Sequence, residues 1–469
     1  MAEFSAAPTA HPAESDTHVS PAQRRKAFVG AIAGHLIEWY DYGVYGFLAV
    51  YVAANFFKSE NPMVGILAAF AVFALSFFVR PLGGLFFGPL ADKIGRRKTL
   101  MIVLGLMCGA TAVIGMLPTY ATIGVAAPIL LVLMRLVQGF SAGGEVSTIS
   151  AFVAEYAVKG RRGFATSFLM VTAASGLLLG GVVANGLGAI IGTEAMAEWG
   201  WRLPFLLAGV LGVVAVFIRM KLEDSPEFRR LHSEGKTSKT PLRETLRYQR
   251  QLFLMGALIT LLGSTFYLVL TYLTTYMRTI LELTPGAIFW LVLLTGAAAA
   301  AFMPVGGAIS DRMGDRRPML AIGAVLVAGA VVWFFLTAPG TDGGLPLVPS
   351  LLALGVTTGL YCGVPYATMT ELMPAHVRST GIALGYNVPV AVFGGSAPFI
   401  ASWLINETGD VASPMYFFLL TAAIVLVGVA MLRPSDLLGH EDVPVTGSID
   451  AVGGKVTRTV APRPKADAL

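Results

Sequence analysis

The sequence predicts an all-α integral membrane protein: twelve transmembrane helices in two pseudo-symmetric six-helix bundles, with the N- and C-termini both cytoplasmic. Three observations carry this. Hydrophobic residues make up 55% of the 469-residue chain and charged residues only 13%, with a mean hydropathy of +0.71, too apolar for a soluble globular domain. The apolar stretches come at span length, about 20 residues each, and a chain this long holds roughly a dozen once loops are subtracted. Finally, GPLADKIGRRK at Gly88–Lys98 recurs as GAISDRMGDRR at Gly307–Arg317, so the second half repeats the first in parallel.

In chain order, residues 1–26 read as a disordered cytoplasmic N-terminus rich in Pro, Ala and Ser. Arg24, Arg25 and Lys26 at its end anchor an uncleaved first span better than they make a twin-arginine export signal. The N-terminal bundle, 27–221, has spans at 27–56, 63–90, 99–117, 122–155, 162–192 and 201–221. A charged cytoplasmic loop, 222–248, leads to the C-terminal bundle, 249–433, with spans at 249–281, 286–310, 318–338, 345–373, 378–408 and 412–432. A mobile polar tail, 434–469, follows in the cytoplasm. The basic clusters Lys93–Lys98, Lys159–Arg162, Lys221–Arg250, Arg312–Arg317 and Arg378 all fall on one side, and only Lys58 on the other.

That distribution also accounts for the net charge of +5 and pI near 9.1 without nucleic acid. Cys108 and Cys362 fall in spans of different halves, which suggests neither a disulfide nor a thiolate metal site. A haem-bearing membrane enzyme would want paired intramembrane histidines, and only His35 lies in a predicted span; no enzyme activity and no cofactor are expected. A receptor built on this scaffold would carry an added soluble domain, for which a tail of about 35 residues is too short. The expected location is the bacterial inner membrane.

Charges inside the spans locate the working parts. In RLVQGFSAGGE, Arg135, Gln138, Ala142 and Glu145 share one helix face. Ten residues, about 15 Å, keep Arg135 from neutralising Glu145 directly, so each needs a partner from another helix. In the first span His35, Glu38, Tyr42 and Tyr45 recur at helical steps with Asp41 adjacent, and FFVRPLGG places Arg80 in the second. Depths of roughly 12–21 Å from the inner helix ends predict one midplane cavity holding Glu38, Asp41, Glu145, Arg80 and Arg135. A static ion-pair lattice is the plainer reading. The functional reading makes Glu38, Asp41 and Glu145 the proton-coupling groups and Arg135, Gln138, Tyr42, Tyr45 and Arg80 the substrate contacts. His35 reads as readily as a satisfied bundle histidine. In the second half Tyr267, Thr271, Thr274 and Arg278 share a face, with Tyr361, Tyr386 and Asn387 on later spans; tyrosine and threonine there often only bridge helices. Arginine forks onto carboxylates, which favours a small organic anion. Each anionic charge entering against the membrane potential costs about 2.3 kcal/mol per 100 mV, so a dianion needs at least two protons and a trianion three.

The Gly-x-x-x-Asp-(Lys/Arg)-x-Gly-x-Arg loop in both halves resembles the signature of the major facilitator superfamily. The resemblance implies that superfamily's fold and a cytoplasmic charge latch, with Asp92, Arg96 and Glu155 in one half and Asp311, Arg316 and Glu371 in the other, and Arg378 in the same gate; the identical spacing of Glu155 to Arg162 and Glu371 to Arg378 supports the internal repeat. Asp315, where arginine is commoner, predicts a weaker second latch. GHLIEWYDYGVYGF, RLVQGFSAGGE, EDSPEF and YNVPVAVFGGSAP resemble the metabolite:proton symporter family. The second half is most similar to its citrate and tricarballylate members through TYMRTILELTP, MPVGGAISDRMGDRR and TELMPAHVRSTG, while AGGE in the first half resembles dicarboxylate- and betaine-type relatives. The expectation is a proton-coupled symporter importing citrate or a related di- or tricarboxylate by alternating access, working as a monomer in the lipid bilayer. The alternatives are a zwitterion such as proline or betaine, or an aromatic acid bordered by Trp39, Phe266 and Phe393.

Overall fold

The computed structural model describes residues 20–58, 62–221, 223–341 and 343–437. The rest of the expected N-terminal segment, 1–19, and of the expected tail, 438–469, lies outside the described residues. The described residues are helical, with no strand among them. The long helices are α1 (Pro21–Phe56), α2 (Pro62–Ile94), α3 (Arg96–Met116), α4 (Ala126–Tyr156), α5 (Arg162–Ile191) and α6 (Arg202–Met220), then α7 (Gln249–Thr279), α8 (Pro285–Met313), α9 (Arg316–Thr337), α10 (Leu345–Leu372), α11 (Ala375–Thr408) and α12 (Pro414–Met431). Eleven are long and apolar enough to cross a membrane by length and composition. The twelfth, α1, has the length at 36 residues, and its Glu38, Asp41 and four tyrosines lower its hydropathy.

Local chemistry moves some expected boundaries. α1 starts at Pro21 rather than 27, because Ser20 and Gln23 form a reciprocal capping box with Pro21 at the first helical position. The expected loop 222–248 contains two short helices, Pro226–Ser233, capped by the Ser225 side chain, and Pro241–Thr245. The first residues of the expected mobile tail are tied down, since Asp436 accepts from Arg433 N at 2.8 Å and pairs with Arg250 at 2.9 Å. α7 and α11 each carry a π-helical turn, Leu268–Tyr272 and Val390–Gly395; in α11 it follows Pro389, which cannot donate the helical hydrogen bond.

In the first bundle α1 packs on α5, α2 on α4, and α3 on α4 and α6; in the second α8 packs on α10, α7 on α12 and α11, and α9 on α10 and α12. The bundles meet along α2–α11 and α5–α8, two contacts related by the internal repeat. Backbone proximity sets both kinds of crossing. A Cβ on Gly143 of α4 would collide with the Arg80 carbonyl of α2, and one on Gly307 of α8 with the Gly163 carbonyl of α5. Gly143 thus lets α2 and α4 cross within the first bundle, while Gly307 and its repeat partner Gly88, where a Cβ would come within 3.0 Å of the Thr380 Cα of α11, let the two halves touch.

Candidate functional site

The polar face of α4 divides into two buried groups. Toward its start, Arg135 Nη1 donates to Gln138 Oε1 at 2.8 Å, and Gln138 Nε2 donates to Asp41 Oδ2 at 2.8 Å and Thr111 Oγ1 at 2.7 Å. The Arg135 guanidinium lies 3.4 Å from the Tyr45 ring centroid, a cation–π stack. Further along, Glu145 accepts from Arg219 of α6 at 3.3 Å, and Arg219 also donates to the Leu100 and Ala31 carbonyls at 3.2 and 3.4 Å. The Glu38 carboxyl rests against that of Glu145. The five charges expected around one cavity are thus separated, Asp41 with Arg135 through Gln138 and Glu38 with Glu145 and Arg219. Arg219 is the partner that sequence reading missed. Two residues from Lys221, it reads as part of a basic loop, yet it is 1% exposed; the signal was an arginine flanked by Ile218 and Met220 inside a predicted span.

Arg80 faces the other bundle. Its guanidinium lies 4.3 Å from the Phe77 ring centroid, 4.6 Å from Tyr42 and 5.9 Å from Trp39. From the opposite half Tyr267 of α7 reaches the same point, edge-on to Phe77 at 5.6 Å, and Phe266 meets Trp39 at 5.4 Å. Arg80 is 2% exposed. Its Nε and Nη2, the Tyr42 and Tyr267 hydroxyls and Glu38 Oε2 find no hydrogen-bond partner of normal geometry among the described residues. Buried polar groups are rarely left so. Nε and Nη2 form the edge of guanidinium that takes a carboxylate bidentately, and among the described residues that edge has the Tyr42 and Tyr267 hydroxyls near it but no carboxylate on it.

One end of the molecule closes through charge. Asp92 accepts from Ser379 N, Thr380 N and Thr380 Oγ1 at 3.3, 2.8 and 2.7 Å, capping a helix of the opposite half. Asp311 does the same in mirror fashion, accepting from Gly163 N and Phe164 N at 2.8 and 2.7 Å. Each carboxylate sits at the positive end of a helix dipole. Arg96 pairs with Asp92 at 3.3 Å and Glu155 at 3.4 Å; Arg378 crosses from the second half to Glu155 at 2.8 Å. Arg316 pairs with Asp311 at 2.7 Å and forks onto Glu371 at 2.8 and 3.0 Å. Asp315, the residue behind the expected weaker second latch, lies apart from these contacts, capping Arg317 N at 3.0 Å and pairing with the Arg317 side chain. EDSPEF belongs to this end as well. Gly95, at φ 106°, has no side chain to cap α3, and Asp224 Oδ1 takes that role, accepting from Arg96 N and Arg97 N at 3.0 and 3.3 Å. Glu227 reaches Arg378 at 3.1 Å. Sequence reading noted that motif without these roles, since capping by a residue 128 positions away leaves no local pattern.

Residues 31–388 match the sequence profile of the Major Facilitator Superfamily. The chain belongs to that superfamily. This transporter is 36% identical over 430 residues to the proline/betaine transporter of Salmonella typhimurium, covering 88% of this chain and 85% of the relative. It is 37% identical over 415 residues to the citrate-proton symporter of Klebsiella pneumoniae, covering 87% and 92%. Its fold is similar to that of the proton:xylose symporter XylE bound to 6-bromo-6-deoxy-D-glucose, with a TM-score of 0.71 at 16% identity over 88% of this chain and 95% of that one.

Other expected contacts of the transporter are placed differently. The Tyr361 hydroxyl donates to the Leu258 carbonyl at 2.6 Å and so ties α10 to α7. Tyr45 donates to Ala69 O at 3.0 Å while its ring carries Arg135. Asn387 bridges the halves, donating to Gly143 O at 2.9 Å. Arg278 is exposed near the end of α7, with Thr271 and Thr274 exposed on the same helix, so these three do not join the buried group. Tyr386 stands nearby, its hydroxyl 3.2 Å from that of Tyr366.

Proposed function

We propose that the transporter is a proton-coupled symporter of a small zwitterionic solute of the proline or betaine type, working by alternating access in the bacterial inner membrane with its charge latch toward the cytoplasm. The carboxylate-free Nε/Nη2 edge of Arg80, buried among Trp39, Tyr42, Phe77 and Tyr267, carries the reading. A substrate carboxylate satisfies that edge and the unpartnered hydroxyls of Tyr42 and Tyr267. With Arg80 drawn onto the carboxylate, the ring faces are left for the substrate's onium or iminium group, and the charge on the Glu38–Glu145 pair is the countercharge. The proton site in this reading is the Glu38–Glu145 pair, two carboxyls in contact beside Arg219.

Charge balance orders the candidates. Asp41 and the Glu38–Glu145 pair, whose touching carboxyls share one proton, are set against Arg80, Arg135 and Arg219, all buried. A zwitterion leaves that balance unchanged, and one accompanying proton lets the membrane potential drive uptake by about 2.3 kcal/mol per 100 mV. A trianion would leave a large uncompensated buried charge unless three protons entered with it. The citrate reading keeps one observation in its favour: Arg135 also has a free Nε and Nη2, although its guanidinium lies inside the first bundle over Tyr45. Labelled betaine, proline, citrate, succinate and an aromatic acid, offered to proteoliposomes with and without an inward proton gradient, test the proposal. Gradient-stimulated uptake of betaine or proline supports it. Stimulated uptake of citrate alone overturns it in favour of the second reading.

A further inference from the structure

His35 is fully buried and both ring nitrogens are engaged. Nδ1 lies 2.9 Å from Thr172 Oγ1 on α5, and Nε2 is 3.2 Å from Trp39 Nε1 one turn along α1. The direction of this chain follows from its donors. The Thr172 hydroxyl has one proton, directed at the Phe168 and Leu169 carbonyls at 3.0 and 2.9 Å, so toward His35 it accepts. Nδ1 therefore carries the imidazole hydrogen. Nε2 keeps its lone pair, and it receives the indole N–H, which can only donate. The indole so held is the side chain that meets Phe266 of the opposite bundle at 5.4 Å, Tyr42 at 5.8 Å and the Arg80 guanidinium at 5.9 Å. Gly176 of α5 packs against the Leu36 carbonyl, the Trp39 Cβ and the Tyr40 backbone nitrogen, which leaves the Trp39 side-chain torsions as the freedom to be fixed.

We propose that His35 is a positioning residue of the substrate site: anchored on Thr172 in its Nδ1–H form, it holds the Trp39 indole in the wall facing Arg80 and Phe266. The inference rests on the reading that the substrate lies against Arg80. His35 itself touches no substrate, and its effect reaches the site through one hydrogen bond.

Two measurements test it. The first needs no substrate: nitrogen-15 NMR of the full-length protein labelled at its six histidines, with the His35 signals assigned by their loss in His35→Gln. The expected spectrum shows a neutral ring protonated on Nδ1, with the Nε2 resonance moving in Trp39→Phe. A ring protonated on Nε2, or an Nε2 resonance indifferent to Trp39→Phe, overturns the inference. The second is uptake kinetics for whichever solute the wild type accumulates. His35→Ala and Trp39→Phe should each raise KM about tenfold, the scale of one hydrogen bond, with Vmax within about twofold; the double variant should be no worse than either single one. His35→Gln, which restores an acceptor near the Nε2 position, should recover most of the affinity. An unchanged KM, or single effects that multiply in the double variant, overturns it. Where His35→Ala does not fold, Trp39→Phe and Thr172→Val carry the same comparison. A wild type that accumulates none of the solutes refutes the proposed function and leaves the spectroscopic result to decide the role of His35.

Discussion

Arg80 and Arg219 show how differently two buried arginines are used. Arg219 is spent inside the first bundle, on Glu145 and on two backbone carbonyls. Arg80 stacks on rings and keeps its carboxylate-binding edge open. Arg80→Lys preserves the charge but loses the planar fork, so KM for the transported solute should rise on the order of tenfold or more while the purified protein remains monodisperse. Unchanged KM would remove Arg80 from the substrate site. Arg219→Gln should act on stability instead, because it strands Glu145 beside Glu38 in a dry interior at a cost of about 3–5 kcal/mol. The double variant Arg219→Gln/Glu145→Gln should recover much of that loss in thermal unfolding, whereas equal or additive losses would argue against the pair. Residues of this kind mark the limit of reading the sequence alone. Intramembrane charge exposed Glu38, Asp41, Arg80, Arg135 and Glu145 as a set, because each is costly in lipid. Their pairing was hidden, since Arg219 lies near a helix end where a basic residue has a sufficient topological explanation.

At the level of elements, eleven spans were legible as long apolar runs, α1 was legible by its length despite its polar face, and the repeat made the two bundles legible from glycine, aspartate and arginine alone. What escaped was structure made by distant partners: the helix Pro226–Ser233 in the linker, and Asp224 standing in as the cap of α3. That linker helix also brings Glu227 to the latch. Burial alone would raise the Glu227 carboxyl, but the Arg378 guanidinium beside it holds it below the usual carboxylate range. A carboxyl with a lower pKa in the latched than in the open state favours the latch fully above its ordinary value, about 4.3, and the contribution disappears as pH falls through the lowered value. Titration of Glu227 therefore leaves the latch unaffected across neutral pH and weakens it only in strong acid. Ala383 of α11, packed against Gly84 and Gly88 of α2 and 2% exposed, makes a reporter position. In an Ala383→Cys background, labelling by a membrane-impermeant maleimide from the latch side should be slow and flat across neutral pH. Adding Glu227→Gln should speed it on the order of tenfold, and no change would exclude Glu227 from the closure.

Across the whole molecule, closure of one end depends on two symmetric acts, each half extending an aspartate to cap a helix of the other. Asp92 takes three hydrogen bonds from Ser379 and Thr380, and Asp311 takes two from Gly163 and Phe164. Hydrogen bonds to a charged acceptor contribute about 1.5–3 kcal/mol each, so each aspartate adds several kcal/mol to the closed end. Both must release when the bundles rock apart, because α2–α11 and α5–α8 form one interface. Asp92→Asn and Asp311→Asn should therefore each populate the open end, raising Ala383→Cys labelling about tenfold or more. Their combination should give less than the product of the two, since either one already frees the shared closure. The buried native thiols Cys108 and Cys362 leave the background low. If only one of the two substitutions exposes the reporter, the pseudo-symmetric contacts are unequal in energy and a single half governs closing. If their effects multiply fully, the two contacts open independently and the bundles do not move as rigid bodies.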